Sequence, residues 1–229
     1  MTSMPQVLLK TAMWNGPEKP SRCFVNVGSN RTKQPLESEL MNDSHLVDAA
    51  GQAFFDWIQR SELPSLGPER GRGLLSTEQL DQALDDWLQE FVLSKKLDPL
   101  FRSAALFWHD HLDASHTISQ SIHTPEGSLL HGMMHRREPD YPNAKYWFSR
   151  AGHHAIEDVL SQRLKEEGRL DAHEMERLVP GGLWDPHTFV DLVEASLAGR
   201  PGAWSIDTLR YIQGVEFQSL ILCLLGQDD

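Results

Sequence analysis

After Ser76, apolar residues recur at three- and four-residue intervals: Leu80, Leu84, Trp87, Leu88 and Phe91. That is the spacing of one face of an α-helix. The same periodicity returns along the chain between breaks marked by Pro and Gly, and it constrains the fold more than any other feature. No stretch shows sustained two-residue alternation bounded by turn signals, so the expected class is all-α.

Start and stop signals divide the pattern into elements. Leu46, Ala49, Ala53, Phe54 and Trp57 predict a first helix over about residues 44–60, and Ser76 with Gln79 forms a capping box for the second. Asp98-Pro99 opens a helix expected to run unbroken to Ile122. Thr124-Pro125-Glu126 is an N-cap followed by Pro at the first helical position, and Pro139 ends that helix near Arg137. Asp140 and Pro142 restart the chain, and Gly152 closes the short helix "NAKYWFSRA". Further helices are expected over about 153–167, after Asp171, from Pro186 to Ala198 and from Ser205 to Leu225. The architecture predicted is an irregular bundle of about seven to eight helices. It forms one domain over residues 44–229, preceded by an extended arm over 1–43 that carries Pro5, Pro17, Pro20 and Pro35.

Composition excludes several function classes. Lys and Arg number 21 against 33 Asp and Glu, a formal net charge of -12, which argues against nucleic acid as a partner. Cys23 and Cys223 are the only cysteines, too few for a disulfide framework, and point to a reducing, cytoplasmic setting. Neither suits a nucleophile, Cys223 lying in an apolar helical run and Cys23 in the arm. The opening "MTSMPQVLLKTAMWNG" lacks a charged region followed by a sustained apolar core, so no signal peptide is expected. The run "LILCLLG" is too short to span a bilayer, and no membrane partner is expected. "GPERGRG" follows no strand and lacks the lysine of a phosphate loop.

Most of the 11 histidines lie between His109 and His173. On an unbroken helix, His109, Asp113, His116 and Gln120 form one stripe beside the apolar row of Phe101, Ala105, Trp108 and Leu112. The next helix repeats the arrangement with His131, His135 and Glu138. Helices joined by a short connection pack as antiparallel neighbours, so the stripes are expected to face one another. Imidazole and carboxylate groups projecting from facing helices are how helical bundles build metal sites. His109, Asp113, His116, His131 and His135 are the candidate ligands, and such a set suits zinc or iron. "HGMMH" is not the H-E-x-x-H of zinc proteases, since Gly132 stands where the catalytic glutamate belongs.

The last helix adds Glu216, which falls with Gln213 on the arc of Leu209, Ile212, Leu220 and Leu224. A carboxylate facing a core must be paired or must hold a cation, and Arg136, Arg137, Lys145 or a histidine is the expected partner. His131, His135, Glu138 and Glu216 are the candidate catalytic groups. Arg136, Arg137, Lys145, Tyr146 and Gln213 are the candidate contacts to a small polar or anionic ligand.

Gly132, Ala144, Phe148 and Ala151 stand at the spacing of the packing positions of a tetratricopeptide repeat, and "NAKYWFSRA" resembles its second helix. Ser128 departs from that pattern, and no second copy occurs at the repeat's spacing. The longer string "SHTISQSIHTPEGSLLHGMMHRREPDYPNAKYWFSRAG" is similar to an uncharacterised family of bacterial and fungal proteins, a resemblance that implies no activity. Two functions follow as expectations. One is a His/Glu/Arg-lined pocket that binds a small anionic ligand or a metal ion, with general acid/base or metal-assisted chemistry. The other is a repeat-like interaction module presenting Trp14, Trp184 or Trp204 to a partner peptide.

Overall fold

The computed structural model describes residues 48–226, and all the regular structure among them is helical. The expected arm and Trp14 lie outside the described residues. Helix α1 covers residues 48–57. It is followed by α2 (Thr77–Glu90), α3 (Asp98–Trp108), α4 (Leu112–Ser119), α5 (Pro125–Arg137) and α6 (Tyr141–Ala151). Then come α7 (Ile156–Glu167), α8 (Ala172–Leu178), α9 (Pro186–Leu197) and α10 (Ile206–Leu225), with a 3-10 turn over Pro180–Gly182. The local signals act as anticipated. Ser76 and Gln79 cap α2 reciprocally, and the Thr124 side chain accepts the Gly127 N–H at the head of α5. Gly152 ends α6 at a φ of 68°, a conformation that glycine adopts without strain.

Two cores share α10. Phe54, Trp87, Phe101, Trp108, Met134, Phe148, Phe217 and Leu220 belong to the larger, built from α1 to α6 and the second half of α10. Leu160, Leu164, Trp184, Phe189, Val193, Leu209 and Ile212 form the smaller, built from α7 to α9 and the first half of α10. At 20 residues, α10 is about 30 Å long, enough to thread both. Trp184 is 4% exposed in the smaller core, so it is not the surface tryptophan that an interaction module was expected to present.

The helix expected from Pro99 to Ile122 is two helices. The chain turns at Asp110, whose φ of 60° is left-handed, a conformation that costs most L-residues about 1 kcal/mol or more and that Asp tolerates better than most. The turn is held by the Asp110 carboxylate. Its Oδ2 accepts Arg60 Nη2 at 2.8 Å and the Gly71 N–H at 2.9 Å, and Oδ1 lies 2.8 Å from Arg137 Nη2. Burial alone would raise this carboxyl, but the two guanidiniums and the amide hold it below the usual range.

Helix α5 is central, with every residue from Gly127 to Arg137 buried. Its three faces do different things. Arg136 turns toward α10 and α9, donating from both terminal nitrogens to Glu216 and lying 4.4 Å from the Phe189 ring centroid. Arg137 turns toward α3, donating to Phe107 O at 3.1 Å and to Gly67 O from two nitrogens. His131 and His135 take the remaining face, toward α4 and α6.

Candidate metal centre

Helix α4 ends the sequence stripe at one residue. His116 meets His131 and His135, with ring centroids 4.8 and 5.0 Å away. One nitrogen from each of the three rings lies within 4.8 Å of the others. His131 and His135, one helical turn apart, stack at 4.6 Å. On α6, Trp147 lies parallel to His131 at 4.0 Å, and Arg150 stands 5.5 Å from the Trp147 ring. His131 is therefore backed by a flat apolar ring from α6.

Hydrogen bonding around the rings is incomplete. Asn143 Nδ2 donates to His135 Nε2 at 3.0 Å and to Asp140 Oδ2 at 3.3 Å. With Nε2 accepting, the neutral His135 ring carries its proton on Nδ1. Among the described residues that Nδ1 has no hydrogen-bond partner, although Glu138 Oε2 lies 3.2 Å from it. Glu138 Oε1 is 4.0 Å from His116 Nδ1. His131 is 3% exposed, and neither of its ring nitrogens has a partner among the described residues. Burial, with His135 and His116 as neighbours, lowers the His131 pKa to about 4. His135 is lowered as well, chiefly by burial. Both rings are thus neutral at physiological pH, the form in which imidazole binds a metal.

The other expected ligands lie elsewhere. The turn at Asp110 rotates His109 out of the stripe and into the core floor. There its Nδ1 accepts the Leu75 N–H at 3.3 Å and its Nε2 donates to Ile58 O at 3.1 Å. Both nitrogens are committed to backbone, and burial lowers its pKa to about 4. Asp113 and Gln120 are exposed. Glu216 is matched to Arg136 and, with Leu129, Met133, Phe148 and Trp184, borders a small apolar cavity that includes none of the three histidines.

The residues expected to clamp an anion do not converge. Arg136 and Arg137 leave α5 on different faces, each with its own buried carboxylate. Lys145 pairs with Asp191 at 2.5 Å. Tyr146 is 55% exposed and edge-on to Trp147. Gln213 is buried, donating to Pro64 O and Ser65 O. Sequence reading missed Asn143 and Trp147 as neighbours of the site. Their four-residue spacing puts them on one face of α6, a signal that the packing row of Ala144, Phe148 and Ala151 obscured.

Gly132 explains how α5 and α6 approach so closely. A Cβ there would meet the Phe148 ring at 3.1 Å, so a hydrogen at this position lets Phe148 pack against the α5 backbone. That contact brings Asn143 and Trp147 to the histidines. Neither protein-family models, curated proteins nor solved structures give a match to this chain.

Proposed function

We infer that the chain is a metal-binding helical protein in which His116, His131 and His135 hold one divalent first-row ion, zinc or ferrous iron. His131 carries this reading. A buried imidazole with both nitrogens unpartnered forfeits about 1–3 kcal/mol of hydrogen bonding. A ring placed there only for packing would be better replaced by phenylalanine. Its nitrogens instead converge with those of two other imidazoles, the donor set of many zinc and non-haem iron sites.

The centre is closed on the α5 and α6 side and open on the other. His131 and His135 are buried, whereas the His116 and Glu138 side chains keep 33% and 27% of their exposure. Solvent reaches the site along that edge. An ion held by the three histidines alone would keep a position open for Lewis-acid polarisation or an activated water.

Zinc and, under anaerobic conditions, ferrous iron are to be added to the chelator-treated protein, followed by gel filtration and elemental analysis. About one equivalent of one of them should be retained. His131→Phe and His116→Ala should each lose it while keeping the helical circular dichroism spectrum. A folded wild-type protein that retains neither ion would overturn the reading.

A further inference from the structure

Glu138 is the second unexplained group at this site. Three-quarters of its side chain is buried, yet no Lys or Arg among the described residues pairs with it. Two imidazole nitrogens lie beside it, His135 Nδ1 at 3.2 Å and His116 Nδ1 at 4.0 Å. A carboxylate that merely orients a metal-bound histidine sits on the N–H line of the ring nitrogen remote from the metal. Glu138 does not: it lies beside His135 Nδ1 without meeting the geometry of a hydrogen bond. The remote nitrogen, Nε2, is already served by Asn143.

The distance itself is informative. Ligand bonds of about 2.0–2.2 Å to zinc separate the donors of a tetrahedron by about 3.3 Å. The 3.2 Å between Glu138 Oε2 and His135 Nδ1 matches that separation. Resting on the three-histidine reading, the geometry points to Glu138 as the fourth ligand. The centre then becomes a three-histidine, one-carboxylate site for a divalent cation of borderline hardness, and the oxygen donor disfavours soft monovalent copper. Coordination through His135 Nδ1 moves the ring proton to Nε2, where a turned Asn143 amide accepts it through Oδ1 and gives up its hydrogen bond to Asp140. The net charge at the site is +1, with the carboxylate offsetting half of the ion's charge.

Zinc affinity and the visible spectrum of the cobalt(II)-loaded protein, each measured for the full chain and for Glu138→Gln, provide the test. The wild-type cobalt spectrum should be intense, as for four-coordinate sites, and constant between about pH 6 and pH 9. Glu138→Gln should bind zinc at least about tenfold more weakly. Its cobalt spectrum should titrate near neutrality, because a water takes the vacated position and loses a proton there. If both proteins bind zinc equally and show the same spectrum, Glu138 lies outside the coordination sphere and the inference fails while the three-histidine site stands. If wild type binds neither ion, the underlying site fails and this inference with it.

Discussion

Replacing His131 with phenylalanine separates what the imidazole does for the fold from what it does for the centre. Phenylalanine keeps a flat ring against Trp147 and His135 and removes two buried nitrogens that have no partner among the described residues. Relieving such groups is worth about 1–3 kcal/mol, partly offset by the added ring atom. Chelator-treated His131→Phe should therefore be more stable than wild type, by roughly 2–4 °C in Tm per kcal/mol for a domain of this size. The effect also depends on pH in a definite sense. Burial, with His135 and His116 close by, sets the folded pKa at about 4 against 6.5 for an unperturbed histidine. Between those values the unfolded chain binds the proton and the folded one does not. The stability is thus complete above about pH 6.5 and is lost as the pH falls toward 4. By pH 5 wild type should have lost about 2 kcal/mol through this group, and the variant none. Urea unfolding followed by far-UV circular dichroism at about pH 7.5 and 5, with a common slope, measures both effects. The stability gap in favour of the variant should widen by about 2 kcal/mol on acidification. With saturating zinc the order should invert, since only wild type gains binding free energy. A variant less stable than wild type, with a parallel pH profile, would refute the claim that these nitrogens are unsatisfied.

Three further outcomes follow from the geometry. Glu216→Gln leaves the Arg136 guanidinium buried without a counter-charge and should cost about 3–5 kcal/mol, whereas the double change Arg136→Met with Glu216→Leu should come close to wild type. Chemical denaturation distinguishes the two. His109→Leu strands the Leu75 N–H and the Ile58 carbonyl, at about 1–3 kcal/mol each, but should leave the zinc stoichiometry unchanged. Gly127→Ala would place a Cβ 2.5 Å from the backbone oxygen of Ile122. The clash should outweigh the helix-propensity gain of about 1 kcal/mol and lower the Tm; a rise would show that the turn before α5 yields.

The helical class and most of the caps were legible because they are written locally, in apolar spacing and in residues such as Ser76, Thr124 and Gly152. The carboxylate on the buried arc of α10 was likewise legible, since Glu216 cannot lie there unaccompanied. The break at Asp110 was not. No Pro or Gly marks it, and the residues that stabilise it, Arg60, Gly71 and Arg137, are distant in sequence. That single tertiary effect divided the five expected ligands, sending His109 to the backbone of the core floor and leaving Asp113 in solvent. The converse held at His116, whose place opposite His131 and His135 follows from the packing of α4 on α5 across a short connection. Trp184 misled because a loop flanked by glycines reads as surface, yet its indole fills the smaller core.

His135, Arg136 and Arg137 are consecutive, so their side chains leave α5 about 100° apart and are met by three separate sets of partners. Rolling the helix would break two buried ion pairs together, which fixes its azimuth. His131 and His135 therefore keep their bearing whatever lies between them and α4. Nitrogens spread over as much as 4.8 Å must close to about 3.3 Å around a single ion, and α5 cannot supply that travel. The base of α4 cannot supply it either, because Ser115 is fastened to Ser103 by reciprocal hydrogen bonds. The movement falls to the partly exposed His116 ring and the last turn of its helix. Closing on an ion, the site would act as a vice with one fixed jaw and one that slides.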